Sequence, residues 1–247
     1  MKIVSWNILA DEFINVTDYP GVPVNFLKNR EQRLKSIKKV IAIYAADTDL
    51  LLLQEVMPEE ADAISRLLRA THTPFVGPPI VWDSDNTSVS RNVTLVKDGF
   101  FTSTPDCVAV DGAWIITGDD VAVANVHLNA DEPCQGDHAS DAVQYRTKQI
   151  EKILMKLSVH RRAIIGGDFN QHYDDDCPLY KKMTLDGFTC HIRDPTYTVD
   201  PVPVCIDQVA TRGWPARQYG GVISQGTSFI TFLVYHGSDH HPVFVGV

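Results

Sequence analysis

Short apolar segments alternate with amphipathic segments along the 247 residues, and this alternation constrains the fold more than any other feature of the sequence. Leu50–Leu53 is a continuous apolar run, which is typical of a strand that is covered on both faces. After Asn29, apolar residues recur with the spacing of an amphipathic helix. We therefore predict an α/β fold. The predicted strands are Ile3–Asn7, Asp49–Val56, Val93–Lys97, Val121–Val126, Ala163–Gly166, Val204–Ala210, Phe229–Tyr235 and Val243–Val247.

Three amphipathic helices are predicted between these strands. One begins near Asn29, and the other two cover Glu59–Ala70 and Ser140–Leu157. The sequence contains no internal repeat, low-complexity tract or linker that would divide it. We therefore predict one catalytic domain that extends over residues 1–247.

Composition excludes several classes of protein. A net charge of −9 argues against a protein that grips long nucleic acid without specificity, because neutralising phosphates requires an excess of Lys and Arg. Five cysteines without C-x-x-C spacing predict reduced thiols rather than a disulfide scaffold or a zinc cage. The sequence has neither a long apolar span nor a signal-peptide pattern, so we expect an intracellular protein, cytoplasmic or nuclear, without a membrane span.

Polar residues suited to metal and phosphate chemistry recur near the ends of the apolar segments. Because strand ends at one edge of a sheet converge in space, residues far apart in sequence can build one site there. A single Asp or Glu at such a position is more often a turn former or a solvated residue, so the prediction depends on the whole set. The set comprises Asn7, Glu55, His127, Asp168, Asn170, Asp207, Asp239 and His240.

Six short motifs resemble, in order, those of the magnesium-dependent endonuclease/exonuclease/phosphatase superfamily. The resemblance implies a four-layer α/β sandwich, in which two packed mixed β-sheets are flanked by helices. It also implies hydrolysis of a phosphate ester with Mg²⁺, for which Mn²⁺ can substitute. The motifs are Ser5-Trp6-Asn7, Leu53-Gln54-Glu55-Val56, Asn125-Val126-His127-Leu128, Gly166-Gly167-Asp168-Phe169-Asn170, Cys205-Ile206-Asp207 and Ser238-Asp239-His240-His241-Pro242-Val243.

The resemblance assigns metal-binding roles to three residues. Glu55 resembles the direct metal ligand, Asn7 the amide that holds the metal-bound water network or the phosphate, and Asp239 a second carboxylate near the metal. Hard oxygen donors of this kind suit Mg²⁺.

Five further residues are assigned to catalysis by the same resemblance. Asp168 resembles the group that orients and deprotonates the attacking water, with Asn170 aligning the phosphate. His240 resembles a donor to a non-bridging oxygen, oriented by Asp207. His127 stands where some relatives use Tyr to contact the phosphate.

The opening motif, Trp6-Asn7-Ile8-Leu9-Ala10-Asp11, is similar to that of the carbon-catabolite-repression type deadenylases, nocturnin and the 2′-phosphodiesterases. We therefore expect a nuclease or deadenylase-like phosphodiesterase that acts on single-stranded nucleic acid or nucleotides, with no obligate protein partner. Three alternatives stay open at this point: a phosphomonoesterase of inositol phosphates, a tyrosyl-DNA phosphodiesterase-like repair enzyme, and a catalytically silent binding module of the same fold.

Aromatic residues in segments that we predict to be loops are candidates for a base-stacking platform, although core packing is the commoner role for any one of them. They are Trp82, Trp114, Tyr173 and Trp214.

Overall fold

Two mixed β-sheets pack face to face in the computed structural model, which describes residues 1–81, 89–130, 139–199, 202–214, 219–223 and 229–247. The strands of this part of the chain are β1 (Lys2–Asn7), β2 (Leu50–Val56), β3 (His72–Val76), β4 (Ile80–Val81), β5 (Val89–Lys97), β6 (Asp106–Val110), β7 (Ala113–Gly118), β8 (Val121–His127), β9 (Arg162–Asp168), β10 (Thr189–Cys190), β11 (Tyr197–Val199), β12 (Val202–Val204), β13 (Asp207–Arg212), β14 (Tyr219–Val222) and β15 (Val243–Gly246). The α-helices are α1 (Val24–Leu27), α2 (Arg30–Ala45), α3 (Pro58–Leu68), α4 (Ala139–Leu157), α5 (Pro178–Leu185) and α6 (Phe229–His236), and two 3₁₀ turns cover Asp11–Phe13 and Val16–Asp18.

The first sheet has the strand order β14-β15-β1-β2-β5-β3, with β4 beside β5. Its central pair, β1 and β2, is parallel, and the neighbouring pairs are antiparallel. Helices α2, α3 and α6 cover its outer face, where Trp6, Ile37, Ile64 and Phe232 belong to one buried cluster. Two of these helices have a local start signal. At the start of α2 the Asn29 side chain accepts a hydrogen bond from Gln32 N, and α3 begins with a proline.

The second sheet has the order β10-β13-β9-β8-β7-β6, in which β8 and β9 are parallel. Its outer face is covered by α4 and α5, whose apolar stripes include Ile150, Ile153 and Met183. Between the two sheets, Leu52 of β2 and Ile164 of β9 belong to a third buried cluster. Helices therefore flank two packed mixed sheets, and the predicted four-layer α/β sandwich is confirmed.

One predicted element is of the wrong type. Phe229–Tyr235, predicted as a strand, forms helix α6, and the side chains of Phe232 and Leu233 are buried. Phe232 packs edge-on against Trp6, with ring centroids 6.4 Å apart, and stacks on His241 at 4.3 Å. A short run of apolar residues suits a buried helix as well as a buried strand, because periodicity does not separate the two.

A second correction concerns the segment Val204–Ala210, which was predicted as one strand. The chain instead ends β12 at Val204 and begins β13 at Asp207, with Cys205 and Ile206 between the two strands. Asp207 is therefore the first residue of a strand that runs antiparallel to β9.

Three of the candidate platform aromatics lie in the described part of the chain, and Trp82 lies outside it. Trp114 is in strand β7 rather than in a loop. Together with Tyr173 and Trp214, it packs against the cluster between the sheets. None of the α-helices in the described ranges is long and apolar enough to cross a membrane.

Candidate active site

All eight predicted site residues come together at one edge of the sandwich. The parallel pairs place the ends of β1 and β2 side by side, and likewise the ends of β8 and β9, where His127 is in register with Asp168. The antiparallel strands β13 and β15 begin at this edge, which explains how residues at strand starts meet residues at strand ends. Six of the eight line a cavity of about 330 Å³: Glu55, His127, Asp168, Asn170, Asp239 and His240.

A β-bulge orients Glu55 toward this cavity. Leu53 is in register with Val93 and Val56 with Arg91, so Gln54 and Glu55 together oppose the single residue Asn92. Glu55 has a φ of +56°, in the left-handed region that few non-glycine residues adopt. Burial raises the pKa of its carboxyl to about 7, an effect that the hydrogen bond from Asn7 opposes.

Asn7 joins two of the carboxylates behind the cavity. Its side-chain Nδ2 donates to Glu55 Oε1 at 2.7 Å and to Asp168 Oδ2 at 3.0 Å. Its amide oxygen accepts from the main-chain nitrogen of Leu9 at 3.0 Å, and the residue is fully buried. The other Glu55 oxygen accepts from Ala10 N at 2.9 Å, so the segment that follows β1 holds both Asn7 and Glu55.

Asp168 lies at the end of β9 after a glycine whose conformation is required there. Gly167 has a φ of +152°, and a Cβ at this position would lie 1.9 Å from the main-chain oxygen of Val126. Asp168 Oδ1 accepts from Asn170 N at 2.8 Å. The Asn170 side chain donates to Leu128 O at 3.0 Å, which fixes the amide at the rim of the cavity.

His240 and Asp207 form a buried pair. His240 Nδ1 lies 2.9 Å from Asp207 Oδ2, and His240 Nε2 lies 3.8 Å from Asp168 Oδ2. Although burial disfavours the charged imidazole, the Asp207 carboxylate, aided by Asp168 and Asp239, raises the pKa of His240 well above its ordinary value. His240 is therefore a hydrogen-bond donor at neutral pH, and its Nε2 is the nitrogen on the side of Asp168.

His127 differs from His240 in its protonation state. Its Nε2 lies 3.6 Å from Glu55 Oε1 and 3.8 Å from Asp168 Oδ2. Burial lowers its pKa to about 4, against the attraction of Asp168. The ring is therefore neutral above that pH and can either donate a hydrogen bond or offer a lone pair.

The balance of charge at the cavity fits a bound cation. Glu55, Asp168 and Asp239 are buried carboxylates, and Asp239 Oδ1 has no hydrogen-bond partner within the described part of the chain. Uncompensated buried charge is strongly unfavourable, and an ion is one way to compensate it. Ligand atoms of Glu55, His127 and Asp168 lie within 4.8 Å of one another, a spacing that could hold a metal. The donor set therefore fits a divalent metal.

Two tyrosines at the cavity are not among the predicted site residues. Tyr19 donates its hydroxyl to Asp239 Oδ2 at 2.9 Å, and Tyr197 stacks on the His240 ring with centroids 4.6 Å apart. Burial and nearby Asp239 raise the pKa of both phenols, so both stay protonated. They belong to loops or loop-flanking strands without periodicity, and nothing in the sequence marks them.

Arg33 of α2, which is not among the predicted site residues, holds together two of the segments that carry the site. It is 1% exposed, and its guanidinium donates to Asp11 Oδ1 at 2.7 Å and to the main-chain oxygen of Gly237 at 3.1 Å. It thereby connects the segment after Asn7 with the loop that carries Asp239 and His240.

A four-layer α/β sandwich with this chemistry at one edge is typical of the metal-site phosphoester hydrolases, and the chain belongs to the class of phosphoester hydrolases. The family to which the chain belongs can be given more precisely than this class. The model of the Endonuclease/Exonuclease/phosphatase family matches residues 4–240, and the chain belongs to that family. A comparison with curated protein sequences finds no significant match.

Solved structures of similar fold cover nearly the whole chain at low sequence identity. ANGEL2, described as a 2′,3′-cyclic phosphatase, has a TM-score of 0.70 at 14% identity, over 99% of this chain and 94% of its own. Truncated TDP2 from Caenorhabditis elegans has a TM-score of 0.64 at 16% identity, over 99% and 95%. Beta toxin from Staphylococcus aureus has a TM-score of 0.65 at 14% identity, over 99% of each chain. At such identities the likeness concerns the fold alone.

Proposed function

We propose that the chain is a Mg²⁺-dependent phosphodiesterase of single-stranded nucleic acid or nucleotides, with Mn²⁺ able to substitute. One observation carries the proposal: the His240–Asp207 pair faces the same cavity as the carboxylates that Asn7 joins, with His240 Nε2 3.8 Å from Asp168. A donor imidazole opposite a carboxylate cluster suits attack of water on a phosphate, in which negative charge builds on the phosphate oxygens.

Glu55 is the proposed direct ligand of the metal, with Asp239 as the second carboxylate near it. Asp239 Oδ1 has no hydrogen-bond partner among the described residues, which supports this role. Asn7 acts as the amide that orients Glu55 and Asp168, because its own oxygen is engaged by Leu9 N. A divalent ion at this position would neutralise charge on the bound phosphate.

The catalytic roles follow from what each group can donate or accept. Asp168 accepts the proton of the attacking water, and the Asn170 main-chain nitrogen holds the Asp168 carboxylate by donating to its Oδ1. The Asn170 side chain aligns the phosphate. His240, protonated and oriented by Asp207, donates to a non-bridging phosphate oxygen. Neutral His127 contacts the phosphate from the side of Glu55.

The lining of the cavity favours a substrate with one phosphate over a polyphosphorylated one. Among the described lining residues there is no Lys or Arg, whereas Phe13, Tyr197 and Ile206 provide apolar and aromatic surface. Head groups that carry several phosphates need several positive partners, so the inositol phosphate alternative is disfavoured. A nucleotide offers a single phosphodiester next to a flat ring, which suits these walls. The description of ANGEL2 as a 2′,3′-cyclic phosphatase is compatible with a nucleotide substrate.

A matched panel of substrates tests the proposal. Initial rates with Mg²⁺ are compared for single-stranded RNA, single-stranded DNA, duplex DNA, adenosine 2′,3′-cyclic phosphate, a 5′-tyrosyl oligonucleotide and a soluble inositol phosphate. We expect the single strands to be cut fastest and chelation to abolish turnover. The Asp168→Asn protein, purified in parallel, measures any contaminating nuclease.

Other outcomes have distinct meanings. A preference for duplex, the tyrosyl adduct or inositol phosphate would overturn the proposed substrate. Tight binding of single strands without any turnover would favour a silent binding module. Full turnover after exhaustive chelation would exclude a metal from the proposed mechanism.

A further inference from the structure

Thr196, the residue just before strand β11, is fully buried although its side chain is polar. Its hydroxyl oxygen accepts a hydrogen bond from the main-chain nitrogen of Ile206 at 3.1 Å and another from that of Asp207 at 3.0 Å. Both donors belong to the short segment that leads into β13. One side chain therefore anchors the stretch of main chain that carries the Asp207 carboxylate.

The hydroxyl supplies an acceptor that the sheet does not offer at the start of β13. Phe169 N donates to Ile206 O at 2.9 Å, so the next pair along the ladder, Asp168 and Asp207, is a non-hydrogen-bonded pair. The main-chain N–H of Asp207 consequently points away from β9. Buried main-chain donors nearly always have an acceptor, and for Asp207 N that acceptor is the Thr196 hydroxyl.

The main chain of Thr196 contacts the other half of the His240–Asp207 pair. Its oxygen accepts from His241 N at 2.9 Å, and its nitrogen donates to Val204 O at 2.9 Å. The next residue, Tyr197, stacks on the His240 ring. Thr196 thus lies between the segment that carries Asp207 and the loop that carries His240.

The geometry of the pair is sensitive to the position of both segments. His240 Nδ1 lies 2.9 Å from Asp207 Oδ2, and a hydrogen bond weakens steeply when its donor and acceptor are displaced or misaligned. Thr196 is not among the described residues that line the active-site cavity. Any effect of its hydroxyl on a substrate must therefore pass through Asp207 and His240.

We propose that Thr196 is a positioning residue of the candidate active site, whose hydroxyl holds the Asp207 carboxylate at hydrogen-bonding distance from His240. The assignment rests on the proposed phosphodiesterase function, in which His240 donates to the phosphate. The role requires the hydroxyl specifically, because the main-chain contact with His241 is available to any residue type at position 196.

A spectroscopic measurement tests this role without turnover. The ¹⁵N shift of His240 Nδ1, assigned by its absence from His240→Ala, reports the hydrogen bond to Asp207, and Asp207→Asn gives its value when that carboxylate is lost. We expect Thr196→Val, which keeps the shape of Thr without the hydroxyl, to move the shift toward the Asp207→Asn value. Thr196→Ser keeps the hydroxyl and should retain the wild-type shift. A wild-type shift in a folded Thr196→Val protein would overturn the proposal.

Kinetics on one single-stranded oligonucleotide provides the second test. Thr196→Val should lower kcat by at least about tenfold and leave KM within about threefold, as for an interaction that matters in the transition state. Thr196→Ser should recover most of this loss. In the Asp207→Asn background, Thr196→Val should cause little further loss, because residues that act as one unit are not additive.

Thr48→Val is the matched control. Thr48 is also fully buried, and its hydroxyl donates to Tyr44 O at 2.6 Å. It precedes β2 at the end of that strand opposite to Glu55, so its loss removes a buried hydroxyl without touching the site. This variant should keep both the wild-type ¹⁵N shift and the wild-type kcat.

Two kinetic results would contradict the role of Thr196: an equal factor of loss in the wild-type and Asp207→Asn backgrounds, or no recovery in Thr196→Ser. If Thr196→Val does not fold, Thr196→Cys replaces it, because a thiol is a weaker acceptor than a hydroxyl. An unchanged ¹⁵N shift and kcat in a folded Thr196→Cys protein would likewise overturn the assignment. Because the ¹⁵N measurement needs no turnover, its failure is distinct from failure of the proposed phosphodiesterase function.

Discussion

The Trp6 indole nitrogen donates a hydrogen bond to the main-chain oxygen of His240 at 2.9 Å, across 234 positions of sequence. The Ser238 hydroxyl donates to Asn7 O at 2.7 Å and accepts from His240 N at 3.1 Å. Strand β1 therefore holds the loop that carries His240 by two independent contacts. The position of the imidazole is thus determined by the same strand that positions Asn7, which links the two halves of the candidate site.

Loss of either member of the His240–Asp207 pair should lower turnover. We expect His240→Ala and Asp207→Asn each to reduce kcat/KM by at least about a hundredfold, as for loss of a transition-state donor or its orienting partner. The double variant should lose much less than the product of the two factors, because the residues act as one unit. A double-mutant cycle on a single-stranded oligonucleotide measures this. Unchanged activity in Asp207→Asn would exclude a mechanism in which Asp207 orients the His240 imidazole.

Asp168→Asn should lower kcat by at least about a hundredfold, since the amide cannot accept the proton of water. The variant should keep the fold, because Asn retains an oxygen to accept from Asn170 N and loses only the hydrogen bond from Asn7 Nδ2. Initial rates and far-UV circular dichroism check the two expectations. Asp62→Asn, at an exposed position of α3, is the matched control. A folded Asp168→Asn protein with wild-type kcat would exclude Asp168 as the base.

A divalent metal should stabilise the folded protein through Glu55. We expect Mg²⁺ or Mn²⁺ to raise the thermal midpoint of the chelated wild type, since a ligand that binds only the native state shifts unfolding. Glu55→Gln should abolish this rise and the metal-dependent turnover. Glu59→Gln removes an exposed carboxylate of α3 and should leave both unchanged. An equal rise of the midpoint in Glu55→Gln would place the metal on other ligands.

Tyr197 should contribute to catalysis through its ring. It stacks on His240 at an interplanar angle of 26° and lines the cavity. Tyr197→Phe keeps the stack and should stay within about threefold of wild-type kcat/KM, whereas Tyr197→Ala should lose about tenfold, in keeping with the energy of an aromatic contact. Steady-state kinetics on one oligonucleotide compares the two. Equal losses in both variants would assign the role to the hydroxyl instead.

Glu60 should make stability depend on pH. Burial raises the pKa of its carboxyl to about 7 in the native state, from an ordinary value of 4.5. Below pH 4.5 the group is protonated in both states, and its contribution to stability is fully present. As the pH rises through 7, that contribution is lost, since the native state disfavours the charge. The free energy of unfolding of Glu60→Gln should therefore equal that of wild type at pH 4 and exceed it above pH 7, by at most about 3 kcal/mol.

Chemical denaturation at pH 4 and pH 8 measures the difference for Glu60→Gln. Gln retains an oxygen to accept the hydrogen bond from Met57 N, which Glu60 receives at 3.0 Å. Glu59→Gln, on the adjacent exposed position, is the control; the Arg30 hydrogen bond lowers the pKa of Glu59, so its variant should show no gain at pH 8. A gain for Glu60→Gln that is the same at both pH values would show that charge is not its cause.

The strands that carry site residues were largely predictable, and helix α6 was not. Ile3–Asn7 and Asp49–Val56 each combine an apolar run with a polar end, a pattern that few other structures produce. Phe229–Tyr235 has the same apolar character, but it docks on Trp6 as a helix because Phe232 fills the space there. The decision depends on a contact with a residue more than 200 positions away, which no local pattern contains.

The types of the eight candidate site residues and their order along the chain were available from the sequence, because polar chemistry at the end of a buried strand is a local property. Their mutual geometry was decided only by the tertiary structure. The bulge at Glu55 arises from pairing with β5, and the contact between His240 and Asp207 arises from two strands that begin at the same edge. Tyr19 follows a 3₁₀ turn and Tyr197 begins strand β11, and both line the cavity only because the whole chain packs in this way. Interactions between residues distant in sequence depend on the fold as a whole, and for that reason the composition of the candidate site could be inferred while its shape could not.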